Sequence, residues 1–264
     1  MKTSIRMLAM MTLGLVLLAT TGCSKLRARD QLNKGVQSYK NAKYEEAISH
    51  FQQAVSLDPG LVNARLYLAT ALAQQVIQGV TTPENIQSAE QAIDQYKQVL
   101  ERDPKNINSV KGIAYLYLQI QKFDDAKTFY RKAIDVDPND PEPYYSVAVI
   151  DWTQSYQPRM EERAKVGLKP DEWIMKDKGN KKVCAMLREK NSGVIQDGIA
   201  MLQKALDLRP DYDDAMAYLN LLYRRKADLV ESKEEREALL KQADDLVDKV
   251  KEIKQKRSEQ PQAS

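Results

Sequence analysis

The chain has 264 residues and nearly balanced charge, with 40 lysines and arginines against 37 aspartates and glutamates. This balance argues against nucleic acid as a partner, because such binding requires a concentrated basic face. The chain has one histidine and two cysteines, with neither a glycine-rich phosphate loop nor a zinc-type spacing. We therefore predict that the protein is not an enzyme and has no catalytic residue, metal site or cofactor.

Residues 1–22 have the pattern of an export signal. Lys2 and Arg6 precede an apolar run over 7–19, and small residues lead from there into Cys23. The run is too short to span a membrane as a helix. The ending resembles the signal of a bacterial lipoprotein, in which the cysteine is lipidated, although Thr20 replaces the aliphatic residue usual there. A plain secretory signal, cut at another position, is the alternative.

The lipoprotein resemblance implies a location for the protein. Cys23 would carry the palmitate lipid, and residues 23–27 would form a short tether to a membrane of the bacterial envelope. Ser24 stands where inner-membrane lipoproteins of enteric bacteria have aspartate, so the resemblance favours the outer membrane, with the protein facing the periplasm. Without residues 1–22 the chain has 38 basic and 37 acidic residues, which leaves it close to neutral.

The stretch 107–138 contains two helical patterns joined by a short polar turn. Apolar residues recur at intervals of three and four in each half, which places them on one face of each helix. They are Val110, Ile113, Ala114 and Tyr117 in the first half and Ala126, Tyr130, Ala133 and Ile134 in the second, before a closing Pro138. Their order and spacing resemble the tetratricopeptide repeat (TPR), a helical hairpin that stacks on copies of itself to bury both faces.

Prolines that close the repeats indicate the number of copies. Pro104 and Pro138 are 34 residues apart, whereas Pro59 to Pro104 spans 45 residues and Pro138 to Pro210 spans 72. We therefore predict an all-α fold, a right-handed TPR superhelical solenoid of about five helical hairpins within 28–257. The predicted hairpins are 28–59, 60–104, 105–138, 139–210 with an insertion at 154–192, and a capping hairpin at 211–257, before a disordered tail at 258–264.

Two of the predicted hairpins contain extra residues. In the second, Thr82 followed by Pro83 is a typical helix start, so we expect a longer second helix from Pro83. The insertion 154–192 in the fourth has ten basic residues against six acidic ones. We expect it to be ordered and functional rather than disordered, with two short helices at 158–166 and 180–190. The repeats are expected to fold without it.

Cys184 lies within a short apolar helical pattern inside the insertion. If Cys23 carries lipid, Cys184 has no partner in the same chain, and no disulfide crosslinks the fold. A buried, unreactive thiol is one interpretation of this position. An intermolecular disulfide or a redox role is the other.

The TPR resemblance also implies where a partner binds. In this family the first helix of each repeat lines an inner groove, and the matching positions here mix aromatic, amide and basic side chains. Such mixtures suit peptide recognition, because rigid rings supply contact area at low entropy cost. The positions are Tyr39; Asn63 and Thr70; Asn108, Lys111, Tyr115 and Leu118; Tyr145, Val149 and Trp152; and Arg224 and Arg225. The alternative is that some of the rings only pack between repeats or under the insertion.

Two functions are compatible with these features. The first is a membrane-anchored periplasmic interaction module that binds a protein or peptide partner in its groove. The second is an assembly factor for outer-membrane barrels or for pilus and secretion secretins. The chaperone-tail clamp of the family requires lysine and asparagine where this chain has Leu32 and Val36, which argues against that class of ligand.

Overall fold

The computed structural model describes residues 23–169 and 172–259, which form helices and connecting turns without a β-strand. Ten α-helices follow one another within these ranges. They are α1 at 23–40, α2 Tyr44–Leu57, α3 Val62–Ala73, α4 Pro83–Leu100, α5 Ile107–Gln119, α6 Phe123–Val136, α7 Pro141–Lys165, α8 Lys181–Leu208, α9 Asp213–Leu229 and α10 Lys233–Glu259. The consecutive helices α1 and α2, α3 and α4, α7 and α8, and α9 and α10 pack against each other as pairs. The predicted all-helical repeat fold is confirmed.

The two ends of the fold differ from the sequence expectation. Helix α1 begins at Cys23, so the residues expected to form an extended tether are helical. The segment 24–30 contains good helix formers and neither glycine nor proline, which explains this extension. Helix α10 continues to Glu259, two residues into the predicted tail. The predicted export signal and residues 260–264 lie outside the described residues.

The chain divides into two compact units, one up to Ala126 and one from Lys127 onwards. In the first unit Phe51 of α2 is fully buried in a cluster that includes Val36 of α1 and Leu68 of α3. Gly35 of α1 lies so close to this ring that an added Cβ would be 2.5 Å from Phe51 Cε1. The small residue therefore allows the close approach of the helices that the repeat requires.

The second hairpin begins its second helix where the sequence predicts. Thr82 caps α4 by accepting a hydrogen bond from the backbone N–H of Asn85 at 3.4 Å, and Pro83 is the first helical residue. Most of the extra residues form a loop before α4 rather than additional helix. The side chain of Asn85 organises this loop, because it bonds to the backbone N–H and C=O of Ile77 at 2.7 and 2.9 Å and to the C=O of Val80 at 2.7 Å.

The insertion of the fourth hairpin extends both of its helices. Helix α7 runs on to Lys165, and α8 begins at Lys181 and passes Gly193 without a break. The short helices expected at 158–166 and 180–190 are therefore both wrong as separate elements, because they are parts of α7 and α8. Glycine in a helix costs about 1 kcal/mol, and the burial of Leu187 and Ile195 on either side of it outweighs that cost.

The insertion is part of the core of the second unit. Ile174, from a 3-10 turn between α7 and α8, and Leu187 of α8 are fully buried, in one cluster with Leu222 and Leu229 of α9. The guanidinium of Arg163 anchors the connecting loop by donating hydrogen bonds to the backbone C=O groups at 169 and 172. This packing argues against the expectation that the repeats fold without the insertion, since its removal would expose part of the core face of α9.

Cys184 is buried in the same cluster. Its thiol donates a hydrogen bond to the backbone C=O of Leu229 at 3.5 Å, and burial raises the pKa of this thiol. Because the thiolate is the reactive form, both features disfavour a redox role. They support the interpretation of Cys184 as a buried, unreactive thiol.

Among the helices that the structure describes, none combines the length and apolar character needed to cross a membrane.

Candidate partner-binding site

In the first unit the predicted groove residues lie on α1, α3 and α5. The hydroxyl of Tyr39 accepts a hydrogen bond at 3.1 Å from Nε2 of Gln74, the residue that follows α3. The hydroxyl of Thr70 lies 3.1 Å from that of Tyr96 on α4, and burial raises the pKa of Tyr96. Both predicted side chains are therefore engaged in contacts that hold neighbouring helices together.

The other predicted residues of the first unit are more accessible. Tyr115 of α5 has half of its surface exposed. Asn63 and Asn108 are also exposed, while Lys111 and Leu118 are half-buried. Tyr115 is thus the predicted aromatic side chain of this unit with the most surface available to a partner.

In the second unit five aromatic rings follow one another along α7, along α9 and at the residue just before α9, and we call them the aromatic row. The row consists of Tyr212, Tyr145, Tyr218, Trp152 and Tyr156, in spatial order. Successive ring centroids are 5.1, 5.6, 5.6 and 5.8 Å apart. These separations are typical of favourable aromatic pairs. The row is therefore a continuous packed surface rather than a set of isolated rings.

The sequence predicts part of this row. Tyr145 and Trp152 are predicted groove positions, together with Val149, which is half-buried between them on α7. Tyr156 is not among the predicted groove residues, although it continues the same spacing of three and four residues along α7. Tyr212 and Tyr218 were also missed, because their place in the row depends on how α9 packs against α7.

An arginine lies at each end of the row. The guanidinium carbon of Arg209 is 4.5 Å from the ring centroid of Tyr212. That of Arg225 is 5.5 Å from the centroid of Trp152 and 4.9 Å from that of Tyr156. A cation over an aromatic face is attracted by the ring quadrupole, so both arginines stabilise the row.

The two predicted arginines of α9 have different surroundings. Arg225 is only 7% exposed, and desolvation lowers its pKa to about 10, which still leaves it charged at neutral pH. Arg224 is half-buried and donates hydrogen bonds to Asn220 at 2.8 Å and to Asp244 of α10 at 2.5 Å. Arg225 therefore packs against the end of the aromatic row, whereas the side chain of Arg224 bonds to α10.

The hydroxyl groups and rings of the row are able to make contacts with a partner. Burial raises the pKa of Tyr145 and of Tyr212, so both hydroxyls stay protonated and can donate hydrogen bonds at physiological pH. Tyr156 keeps 42% of its surface exposed. Within 23–169 and 172–259 no three or more metal-ligating side chains converge on one point.

Comparisons with known proteins agree with this architecture. Family models described as tetratricopeptide repeat match residues 32–79 and 87–150. A crystal structure of MamA protein is similar over 90% of this chain and 97% of its own, with 13% identity and a TM-score of 0.59. MamA from Desulfovibrio magneticus RS-1 covers 90% of this chain and 98% of its own, with 17% identity and a TM-score of 0.58.

A third solved structure is that of YrrB, described as a TPR protein with an unusual peptide-binding site. It covers 85% of this chain and 90% of its own, with 12% identity and a TM-score of 0.52. At these identities the likenesses concern the fold. No curated protein matches the chain in sequence. The chain therefore contains tetratricopeptide repeats at residues 32–79 and 87–150 and has the fold of a tetratricopeptide-repeat protein.

Proposed function

We propose that the chain is a protein-interaction module that binds a peptide or protein segment along the aromatic row. The row itself supports this proposal, because it combines five packed rings with a cation at each end on a partly exposed surface. Tyrosine, tryptophan and arginine are the side chains that contribute most often to binding energy at protein interfaces. Among the residues that the structure describes, no comparable arrangement of side chains favours a catalytic role.

Two further observations support this proposal. The repeats at 32–79 and 87–150 belong to an architecture of stacked helices that offers extended binding surfaces. YrrB, with the same fold, is described as having a peptide-binding site. In the first unit we assign a second contact to Tyr115, the exposed aromatic residue at a predicted groove position.

We assign the insertion a part in binding because it completes the row. Tyr156 lies in the segment of α7 that the insertion adds, and Arg225 packs against it. The buried side of the insertion meanwhile holds α7, α8 and α9 together through Ile174 and Leu187. The insertion thus supplies both the last ring and the packing that fixes its position.

We further propose that the protein is attached to a bacterial membrane through lipid on Cys23 and faces the periplasm, with the outer membrane as the site. The sequence of 1–22 and the lipoprotein-like cysteine support this location. Cys23 is exposed at the first turn of α1, where a modification would not disturb the core. A partner of the aromatic row would then be another protein of the envelope.

Site-specific photocrosslinking in cells tests the binding surface. A photoreactive phenylalanine analogue at Tyr156 should yield a discrete crosslinked product on irradiation, because this ring is at the accessible end of the row. The same analogue at Lys204 is the matched control, because Lys204 is an exposed residue of α8, the second helix of the fourth hairpin. Equal crosslinking from both positions, or none from Tyr156, would contradict the proposal.

A further inference from the structure

A cavity of 510 Å³ opens beside the last two rings of the aromatic row. We call it the arginine pocket. It lies between α7, α9 and α10, and the side chains that matter for its chemistry are Trp152, Tyr156, Arg159, Arg225, Asp228 and Arg236. All six belong to the second unit, and two of them are rings of the row.

The arginine pocket has an excess of positive charge. Asp228 accepts hydrogen bonds from Nε and Nη2 of Arg159, and its Oδ2 is also 3.6 Å from Nη1 of Arg163. The lining itself carries four arginines, Arg159, Arg224, Arg225 and Arg236, and the one acidic residue Asp228. Arg159 pairs with Asp228 and Arg224 with Asp244 of α10. Arg225 is a buried arginine of this lining, and an anion bound beside its guanidinium would offset the cost of its desolvation.

Three buried hydrogen-bond donors on the lining have no acceptor among the described residues. They are Nη1 of Arg225, Nε1 of Trp152 and Nε of Arg236. Arg225 is more than nine-tenths buried. Buried polar atoms in proteins are nearly always hydrogen-bonded to protein or to ordered water, so these donors favour a group with acceptors in or beside the cavity. Since all three atoms are donors, a ligand of the pocket would present acceptors to them.

We propose that the arginine pocket binds a carboxylate of a peptide that lies along the aromatic row. This inference rests on the proposed function and names the chemistry of the partner. A carboxylate supplies acceptors and negative charge together, and its two oxygens match the geometry of a guanidinium fork. The carboxylate comes from an aspartate or glutamate side chain or from the C-terminus of the partner.

Binding of peptides of defined sequence to the protein from Cys23 to Ser264 tests the pocket. An array presents peptides of alanine, leucine and tyrosine with one aspartate or glutamate at each position, beside copies with asparagine or glutamine there. Each peptide is made once with a free and once with an amidated C-terminus. A further series has phosphoserine in place of the aspartate or glutamate. Dissociation constants of the best binders are then measured by fluorescence polarisation.

We expect the acid-to-amide exchange to weaken binding about tenfold to a hundredfold, as for the loss of a hydrogen bond to a charged group. The C-terminal pairs show whether the carboxylate comes from a side chain or from the chain end. Arg225→Gln should remove the preference for acid, and Arg225→Lys should retain part of it through its charge. Arg131→Gln is the matched control, because Arg131 is an exposed arginine paired with Asp197 outside the pocket.

The outcomes separate this inference from the proposed function. Peptides that bind equally with acid or amide would overturn the carboxylate assignment while leaving the aromatic row as a binding surface. The assignment would also be overturned if Arg131→Gln removed the acid preference as fully as Arg225→Gln, or if phosphoserine bound more tightly than glutamate. If no peptide bound, or Trp152→Ala left all affinities unchanged, both proposals would be overturned.

Discussion

Gly112 of α5 lies directly against the ring of Tyr96 from α4. A Cβ added at Gly112 would be 2.6 Å from Cζ of this ring, which also holds the hydroxyl contact to Thr70. Gly193 of α8 is a matched case without this constraint, since an added Cβ there meets nothing within 4 Å. The two glycines therefore separate the effect of packing from the intrinsic helix preference of alanine.

We predict that Gly112→Ala lowers the free energy of unfolding by about 1 to 3 kcal/mol through overpacking. Gly193→Ala should raise it by up to about 1 kcal/mol, because alanine is the better helix former. Urea unfolding followed by circular dichroism measures both. Similar shifts in the two variants would show that α4 and α5 do not approach as closely as the structure indicates.

Asp151 of α7 is a fully buried carboxyl group whose neighbours come from α6 and α8. Lys127 of α6 donates a hydrogen bond to it, while Asp197 of α8 lies nearby and pairs with Arg131. Desolvation raises the pKa of Asp151 to about 6, against the opposing effect of Lys127. Between the ordinary aspartate pKa of about 3.9 and about 6, the folded state therefore binds a proton that the unfolded state has released.

It follows that this group makes the protein less stable as the pH rises through that window. We predict that Asp151→Asn, which resembles the protonated form, becomes more stable relative to the parent by about 1 to 3 kcal/mol between pH 4 and pH 7. Unfolding free energies of both proteins at the two pH values measure the difference. A stability difference independent of pH would mean that Asp151 titrates at its ordinary value.

Helix α4 of the second hairpin and helix α8 of the fourth show where local sequence patterns succeed and where they fail. Thr82 and Pro83 correctly indicate the start of α4, because a cap and a first-turn proline act within the helix itself. The short helix predicted at 180–190 was wrong as a separate element, because α8 continues past Gly193. Whether a helix continues past such a residue depends on apolar burial against other elements, here Leu187 and Ile195 against α9, and the local pattern does not contain that information.

The contribution of the insertion to the core can be measured with two apolar residues inside it. We predict that Leu187→Ala, at a fully buried position, lowers the free energy of unfolding by about 2 to 5 kcal/mol. Val166→Ala, at a position with 38% of its surface exposed, should change it by less than about 0.5 kcal/mol. Two equally small effects would indicate that the insertion is peripheral to the second unit.

The candidate site was predictable as far as it lies on single helices. Tyr145 and Trp152 were found because they share one face of α7, and Arg225 was found because it matches a groove position of the family. Tyr218 and Asp228 were not found, since their roles arise only when α9 packs against α7. The arginine pocket was out of reach for the same reason, because its side chains come from three helices.

The proposed attachment to the membrane concerns the whole protein and rests on one residue, Cys23. We predict that Cys23→Ser abolishes palmitate labelling and releases a folded, soluble protein from the membrane fraction, because Cys23 is exposed and contributes nothing to the core. Cys184→Ala is the control and should leave the labelling intact. Labelling that persists in Cys23→Ser, or disappears in Cys184→Ala, would show that the lipid is attached elsewhere.

The account depends above all on the aromatic row as the surface that binds a partner. Hydrogen–deuterium exchange of the protein from Cys23 to Ser264, measured with and without a partner, tests this claim. The partner is the protein identified by crosslinking at Tyr156, and the measurement itself alters no residue of the row. We predict that the partner slows exchange in α7 over 141–160 and in α9 over 213–228, and leaves 200–208 of α8 unchanged. Slower exchange confined to α8 and α10, with α7 and α9 unaffected, would contradict the account.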